Sequence, residues 1–332
     1  MPMEEVDPQS RIKHLQEIHS ASQKKTFTKW VNFHLSKVSL VIQDLYADLC
    51  DGIRLIRLVE VIANIKLHPP NKGILRVQKI ENVNTALRYL MTQVVLQNIA
   101  AEDIVDGNER LILGLIWTII LRFQIQELEF SDQSQANSNK TATKWTSVKE
   151  SLLLWCQRET KTYDVKIDNF HSSWNDGKAF TALIHSHTPD SFDYQATVEK
   201  EPVQMLNIVF TEAEKTFSVP KLLDPEDVLV PKPDEKSILT YLSAVYGSFS
   251  RLHLESTCTK RTVKVIDKAM EAHKQITAFE LRTAELLKWI ETKTAELANP
   301  DHQWPDTPDA LSQFMTNFAR YQSVEKQEKS VS

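Results

Sequence analysis

Residues 48–62 read DLCDGIRLIRLVEVI, and residues 173–187 read SWNDGKAFTALIHSH. In each stretch an Asp-Gly pair, Asp51-Gly52 or Asp176-Gly177, stands before a run of apolar residues at helical spacing. The two pairs lie 125 residues apart (176 − 51 = 125). Because aspartate accepts hydrogen bonds from the free N–H groups at a helix start, we expect Asp51 and Asp176 to cap these helices.

Three further landmarks recur in the same order along the chain. Their offsets of 125, 123 and 124 residues differ from one another by only one or two positions. Such ordered self-similarity predicts two copies of one domain within the first 250 residues. The landmarks are Trp30 with Trp155, residues 84–87 with 207–210, and residues 102–105 with 226–229.

The composition excludes several classes of protein. Only six glycines occur in 332 residues, which disfavours glycine-rich phosphate loops and favours helices. A formal net charge of −5 argues against a nucleic-acid-binding protein. The cysteines (Cys50, Cys156 and Cys258) form no C-x-x-C pair, and no secretory signal precedes them, so we expect reduced thiols in the cytosol. We predict a cytosolic, all-α protein.

Changes in composition divide the chain into five segments. Residues 24–130 and 148–252 hold the two copies, which we call the first and second domains. Residues 131–147 are rich in Ser, Thr, Asn and Gln, as in a flexible linker. Residues 1–23 carry mixed charges and scattered apolar positions, so we expect them to be mobile. Residues 253–332 form a separate helical region.

That last region is predicted to contain one long helix and the start of a second. No proline or glycine interrupts Lys260–Leu297, and its apolar residues have heptad-like spacing. Prolines then end the helix, and another begins near Asp309 with Phe314 and Phe318 on it. Two helices with apolar stripes do not complete a three-helix bundle, so we interpret this region as incomplete.

Several quoted stretches together resemble the tandem calponin-homology domains of the spectrin superfamily. Within it the alpha-actinins fit best, because a short neck leads to residues 286–290, which resemble the start of an alpha-actinin's first spectrin repeat. The divergence of the sequence suggests a fungal member. The stretches are KKTFTKWVNFHL (24–35), DLCDGIRLIRLVEVI (48–62), EDIVDGNERLILGLIWTIILRF (102–123), LLLWCQRET (152–160) and PDEKSILTYLSAVYGSFS (233–250).

The resemblance implies a protein without enzymatic activity or cofactor that binds the side of filamentous actin. In a full-length antiparallel dimer, formed through the complete rod, it would crosslink filaments. It would belong to the actin cytoskeleton, and to the contractile ring in cytokinesis if the source is fungal. Two alternatives are a spectrin- or dystrophin-type membrane-skeleton adaptor and a phosphoinositide-regulated scaffold.

By resemblance, actin is contacted by Lys24–Leu35, Leu111–Ile125 and Lys149–Arg158. A lysine-rich helix face suits an acidic filament, although such a face is more often merely solvated. The apolar helix near residue 115 is also explained as a core helix, beside the hypothesis that one strip of it stays exposed. The candidate residues are Lys24, Lys25, Thr28, Lys29, Asn32, Leu111, Ile112, Leu115, Ile119, Lys149 and Arg158.

The resemblance also implies two regulatory sites. Trp117 and Lys236 match an interdomain tryptophan–lysine contact whose cation–π attraction biases a closed–open equilibrium. Lys166 and Lys178 lie in the second domain where relatives bind phosphoinositides. We expect weak lipid binding there, because Asp164 and Asn175 replace the basic residues that are usual in the family.

No motif predicts a metal site or catalytic chemistry. His185-x-His187 lacks further ligands, and we interpret it as a core or surface pair. The stretch from Asp103 to Asn108 lacks the alternating acids and terminal glutamate of a calcium loop. Cys50 lies between Asp48 and Asp51 with no nearby histidine, which a helix cap and a buried thiol explain.

Overall fold

The structure, a computed structural model, describes residues 8–126, 128, 144–298 and 305–325. These residues form helices and loops without any β-strand, which confirms the all-α prediction. The chain divides into two compact units, residues 1–253 and residues 254–332. No helix in the described ranges is long and apolar enough to cross a bilayer.

The first domain is built around α5 (Glu109–Ile120), which packs with α1 (Pro8–Leu35), while α2 (Ile53–Ala63) packs against both α1 and α3 (Arg76–Gln93). A 3-10 turn, Ser36–Val38, follows α1, and a π-helical turn, Leu121–Ile125, continues α5. The helices are α1 (Pro8–Leu35), α2 (Ile53–Ala63), α3 (Arg76–Gln93), α4 (Ala101–Val105) and α5 (Glu109–Ile120).

The second domain repeats this plan. Helix α7 (Lys178–His187) packs against α6 (Lys144–Glu159), α8 (Tyr194–Val198) and α9 (Pro202–Phe217), and a 3-10 turn, Ser172–Trp174, precedes it. The domain's last helix is the first part of a 64-residue helix that continues into the second unit. The helices are α6 (Lys144–Glu159), α7 (Lys178–His187), α8 (Tyr194–Val198), α9 (Pro202–Phe217), α10 (Pro225–Val228) and α11 (Glu235–Ala298).

The two Asp-Gly pairs do begin helices, with one difference from the prediction. The N-cap positions are Gly52 (φ 72°) and Gly177 (φ 77°), which are left-handed. Each aspartate accepts a hydrogen bond from the first helical N–H: Asp51 from Ile53 at 2.8 Å and Asp176 from Lys178 at 3.0 Å. Glycine is required because its φ is positive and because a Cβ at residue 52 would lie 2.6 Å from the Val83 nitrogen.

Helix α1 is longer than the sequence suggested. Residues 8–23, which we expected to be mobile, are the first 16 residues of this helix; residues 1–7 lie outside the described range. Second-domain groups hold part of this segment. His19 Nε2 donates to the Lys232 carbonyl at 3.0 Å, and the buried Ser22 hydroxyl lies 3.5 Å from that of Ser237.

The second unit consists of the distal part of α11, α12 (Pro308–Arg320) and a π-helical turn, Tyr321–Glu325. The predicted helix Lys260–Leu297 falls inside α11. The rings of Trp289 and Tyr321 stack with centroids 5.9 Å apart. Of the predicted linker, residues 131–143 lie outside the described range, and residues 144–147 open α6.

Candidate functional site

Of the three lysines predicted to bind a filament, Lys25 and Lys29 lie on the side of α1 away from its buried face, and Lys24 lies at the edge of that face. Phe27, Trp30, Val31 and Leu35 are at most 1% exposed and fix the orientation of the helix. Lys24 binds Asp44 within the first domain at 2.5 Å, and its ammonium group lies 4.3 Å from the centre of the Tyr46 ring. The hydrogen bond from Lys24 lowers the pKa of the Asp44 carboxyl.

The other two lysines of α1, Lys25 and Lys29, bind carboxylates of the second domain. Lys25 Nζ lies 3.0 Å from both carboxylate oxygens of Asp227, and Lys29 Nζ lies 2.5 Å from Asp224. Mainly through its hydrogen bond, Asp227 raises the pKa of Lys25. Two of the predicted filament-binding cations are therefore occupied by carboxylates of the other domain.

The remaining α1 candidates serve local structure. The Asn32 amide donates to the Ile42 carbonyl at 2.9 Å and accepts from the Ile42 N–H at 2.8 Å, which ties the following loop to α1. The Thr28 hydroxyl donates to the Lys24 carbonyl at 2.6 Å. Neither side chain keeps its full hydrogen-bonding capacity for a partner.

The strip of α5 that was predicted to stay exposed is mostly buried, so the prediction placed the exposed side of this helix wrongly. Ile112, Leu115 and Ile119 are 0%, 2% and 1% exposed, because this central helix packs that side into the core. Leu111 alone among the four is partly exposed. The outward side of the helix instead carries Arg110 and Gly114, which are exposed, and the half-buried Thr118.

Trp117 and Lys236 come together as the resemblance implied. The Lys236 ammonium lies 5.6 Å from the centre of the Trp117 ring, within cation–π range. Phe27 stacks on Trp117 with ring centroids 6.4 Å apart. A cation of the second domain thus rests on an aromatic ring that the first domain holds in place.

A polar network that sequence analysis missed crosses the same contact. Trp30 Nε1 donates to Gln124 Oε1 at 2.5 Å. Gln124 Nε2 donates in turn to the Thr240 carbonyl at 2.8 Å and the Ser243 hydroxyl at 2.5 Å. Gln23 Nε2 also donates to the buried Asp234 at 2.8 Å.

The role of Asp224 and Asp227 as partners of the α1 lysines was also not predicted from the sequence. The sequence signal was present, because a concentration of acidic residues at 224–235 complements the lysines of α1. Charge complementarity alone does not show which surfaces meet, so it could not predict that these aspartates contact these lysines.

The α6 candidates are engaged within the second domain. Lys149 pairs with Glu235 at the start of α11, and Arg158 Nε lies 3.1 Å from Glu159. The side of α6 that carries Leu154 is nevertheless accessible, since this residue is 64% exposed. In the ion pairs between described residues, Lys149 and Arg158 share no acidic partner with the lysines of α1.

The two lysines predicted to bind phosphoinositide have different surroundings. Lys178 lines a cleft of about 810 Å³ together with Tyr163 and Tyr194, but Asp164 and Asp193 line it as well. Lys166 pairs with Asp168 at 3.1 Å. The carboxylates reduce the attraction of this cleft for phosphate groups.

The contacts of His185, His187 and Cys50 are those of residues that stabilise the fold. His185 Nδ1 lies 2.6 Å from the Tyr163 hydroxyl, and His187 packs on Phe249 with centroids 4.0 Å apart. The Cys50 thiol donates to the Tyr46 carbonyl at 3.0 Å, and burial raises its pKa. Within the described ranges, no group of three or more His, Cys, Asp or Glu side chains could hold a metal ion.

An exposed apolar segment adjoins the start of α5. Ile74, Leu75 and Val77 are 88%, 65% and 74% exposed, an unusual concentration for three nearby residues. Arg76, between them, binds Asp106 at 2.8 Å and so places the segment beside the loop that leads into α5. Periodicity did not reveal this segment, because it lies in a loop and at a helix start.

Comparison with known proteins identifies the repeated domain. The calponin homology (CH) domain family matches residues 21–125 and 146–251. The spectrin beta chain of Drosophila melanogaster is 44% identical over 324 residues, and the erythrocytic spectrin beta chain of Mus musculus is 45% identical over 322. Alpha-actinin-3 of Homo sapiens is 41% identical over 307 residues. The prediction of an alpha-actinin in particular is not confirmed, because spectrin beta chains match as well.

The matches cover almost all of this chain but little of the relatives. They span 97%, 96% and 92% of this chain, yet 14%, 15% and 32% of the three proteins. The crystal structure of the actin-crosslinking core of Schizosaccharomyces pombe fimbrin has a TM-score of 0.51 at 20% identity, covering 68% of this chain and 50% of that one. That similarity supports the fold alone. The spectrins and alpha-actinins are structural proteins and not enzymes, in agreement with the prediction of no catalytic role.

Proposed function

Because this chain belongs to the calponin homology domain family, as a tandem pair related to spectrin beta chains and alpha-actinins, we propose that it binds the side of actin filaments. The observation that carries the proposal is the pair Lys25 and Lys29, one turn apart on the side of α1 away from its buried face. With Lys24 nearby, these cations suit an acidic filament, which would attract them over a distance and orient the encounter.

The proposed contact surface lies on the first domain. It comprises the α1 lysines, the outward side of α5 and the exposed segment Ile74–Val77. The apolar segment suits the dehydrated centre of an interface, and the lysines suit its rim. The α6 residues Lys149 and Arg158 remain predicted contacts of the second domain.

The closed pairing of the domains would compete with the filament. Lys25 and Lys29 cannot neutralise a carboxylate of the filament while Asp227 and Asp224 hold them. The Lys236–Trp117 contact and the Gln124 network favour the same closed pairing. Affinity for actin is therefore set partly by the free energy of domain closure.

Co-sedimentation with filamentous actin tests the function. The intact chain should pellet saturably, and more weakly at higher salt because the contacts are partly ionic. A Lys24→Glu/Lys25→Glu double variant should bind less tightly. No pelleting of the intact chain at tens of micromolar actin would exclude the function.

Lys236→Glu tests the regulation. The variant replaces cation–π attraction, worth about 0.5–2 kcal/mol, with repulsion at the Trp117 ring. We expect several-fold tighter actin binding and a larger radius of gyration in solution scattering. Unchanged affinity together with unchanged scattering would contradict the regulatory role of this contact.

Two finer parts of the proposal concern the full-length protein and lipids. Crosslinking would require a dimer formed by a complete rod, as in the alpha-actinin hypothesis. A spectrin-type membrane-skeleton adaptor is the alternative, and the rod sequence distinguishes the two.

Phosphoinositide binding through Lys166 and Lys178 stays a prediction of weak binding, because Asp164 and Asp193 line the same cleft. Pelleting with phosphoinositide vesicles in the absence of actin measures it.

A further inference from the structure

The cleft of about 810 Å³ in the second domain combines aromatic rings with carboxylates in its lining. Three parts of the domain form it: the loop after α6, one side of α7, and the segment that leads into α8. A cleft of this size with aromatic walls and a few polar groups is typical of a ligand-binding site. The composition of its lining therefore indicates which kind of ligand it would accept.

The aromatic side chains of the cleft hold one another in place. The rings of Tyr163 and Tyr194 lie with centroids 4.7 Å apart, and the His185 ring packs on Phe192 at 5.2 Å. The Tyr163 hydroxyl lies 2.6 Å from His185 Nδ1, which fixes the orientation of both side chains. Tyr163, Tyr194 and Phe192 are only half-buried, so they offer partly open ring surface. Such surface attracts cations, because the face of an aromatic ring is electron-rich.

Two carboxylates of the cleft keep hydrogen-bonding capacity for a ligand. Asp193 accepts a hydrogen bond from the Ala196 N–H at 3.1 Å through one oxygen, as the N-cap of α8. Its second carboxylate oxygen has no hydrogen-bond donor among the described residues. Asp164 is exposed and forms neither a hydrogen bond nor an ion pair with a described residue. Both side chains can therefore accept hydrogen bonds from a group that enters the cleft.

The charge around Tyr194 is negative. Burial raises the pKa of the Tyr194 hydroxyl, and Tyr163, Asp176 and Asp164 act in the same direction. Lys178 is the only lysine or arginine in the lining, and it forms no ion pair with a described carboxylate. Two carboxylates against one ammonium group give the lining a net charge of −1 with histidine neutral (1 − 2 = −1).

Among cationic groups, a guanidinium fits this combination of rings and carboxylates best. It is planar, stacks on aromatic faces, and donates paired hydrogen bonds to carboxylate oxygens. A lysine ammonium group is a compact and strongly hydrated charge that uses ring faces less well. A phosphate group would be repelled by both carboxylates.

We propose that this cleft binds an arginine side chain in a basic peptide segment of a partner protein. The guanidinium would stack on the Tyr194 ring and donate hydrogen bonds to Asp164 and Asp193. The cleft is larger than one side chain, so neighbouring residues of the peptide would enter it as well. This ligand has the opposite charge to the lipid predicted for Lys178, and the inference does not depend on actin binding.

A titration of the full chain with short peptides tests the inference. The probes are a Gly-Arg-Gly peptide with blocked termini and its Gly-Lys-Gly counterpart, and saturation-transfer NMR measures their binding. Asp164→Asn/Asp193→Asn removes both charges, and asparagine at residue 193 can still cap α8. Asp168→Asn is the matched control, because it makes the same change at an exposed residue of the second domain outside the cleft lining.

We expect the arginine peptide to bind saturably, with a dissociation constant on the order of 1 mM, and about threefold more tightly than the lysine peptide. Affinity should fall at least about tenfold in Asp164→Asn/Asp193→Asn and about threefold in Tyr194→Leu. It should rise about threefold in Lys178→Gln, which removes a like charge, and stay unchanged in Asp168→Asn. Circular dichroism checks that each variant is folded.

Other outcomes would overturn the inference. If the arginine peptide does not bind saturably, or if Asp168→Asn weakens it as much as the double variant, the cleft is not an arginine site. If inositol trisphosphate binds instead, and Lys178→Gln weakens that binding, the cleft binds anions. Lys178→Gln decides the matter even if the double variant fails to fold, because the two ligands predict opposite changes. Actin co-sedimentation tests the proposed function separately, so either can fail alone.

Discussion

The hydroxyl of Tyr241 is an unusual group in the core of the second domain. The side chain is 1% exposed, and its ring packs on Phe180 and Phe210 at centroid distances of 5.7 and 5.1 Å. The hydroxyl has no hydrogen-bond partner among the described residues, although its burial removes it from water. Such a group destabilises the folded state instead of stabilising it.

Tyr241→Phe should therefore leave stability unchanged or raise the free energy of unfolding by up to about 1 kcal/mol. Tyr163→Phe is the matched control, because that hydroxyl lies 2.6 Å from His185 Nδ1 and its loss should cost about 1 kcal/mol. Chemical denaturation measures both. A loss of more than about 1 kcal/mol in Tyr241→Phe would mean that the hydroxyl does have a partner.

His34 makes the stability of the first domain depend on pH. Its ring packs on Trp30 with centroids 4.5 Å apart, and its buried Nδ1 has no hydrogen-bond partner among the described residues. Burial lowers the pKa from 6.5 to about 4, and Lys37 contributes in the same direction. Between these two values the unfolded chain binds more protons than the folded chain, so stability falls as the pH falls.

We expect His34 to remove on the order of 2 kcal/mol of stability as the pH drops from 6.5 to 4. His34→Gln should reduce the slope of unfolding free energy against pH in this window, while substitution of the exposed His68 should not. Denaturant titrations at several pH values measure the slopes. Equal slopes in the intact chain and His34→Gln would refute this role.

At the scale of the element, the π-helical turn Leu121–Ile125 is what points Gln124 at the second domain. The side-chain amide of Gln124 forms hydrogen bonds with three groups, Trp30 Nε1, the Thr240 carbonyl and the Ser243 hydroxyl. A π-helical turn shifts the register of a helix by one residue, and such turns occur often at functional positions.

Gln124→Leu should lower the free energy of unfolding by about 1–3 kcal/mol, because it leaves buried polar groups without partners. It should also open the domain pair and so tighten actin binding. Gln126→Leu is the control, since that side chain forms no hydrogen bond with a described residue. If Gln124→Leu leaves both stability and scattering unchanged, the network does not hold the domains together.

The sequence was sufficient to predict some elements but not others, for identifiable reasons. The apolar spacing of α1 predicted its buried face, with Phe27, Trp30 and Leu35 all at or below 1% exposure. Helix α5 is apolar on nearly every side, so spacing could not distinguish the buried Leu115 from the exposed Gly114 side of the helix. The helical state of residues 8–23 escaped prediction because its supports, such as the Lys232 carbonyl, come from a distant part of the chain.

At the scale of the whole molecule, the domain pair places filament-binding candidates inside its own interface. Resemblance predicted the Trp117–Lys236 pair, which the structure brings to 5.6 Å. The carboxylates opposite Lys25 and Lys29 were not predicted, because no local pattern specifies how two domains dock. We therefore propose that Asp224 and Asp227 compete with the filament for the same two lysines.

The most direct measurement is the actin affinity of an Asp224→Asn/Asp227→Asn variant relative to the intact chain, by co-sedimentation. We expect the variant to keep its fold and to bind actin several-fold more tightly, because its lysines are released from the second domain. A Lys25→Glu/Asp227→Lys exchange, which preserves the interdomain pair, should bind more weakly than the intact chain. If the Asn variant binds no more tightly than the intact chain, or if neither binds, domain closure does not compete with the filament for these lysines.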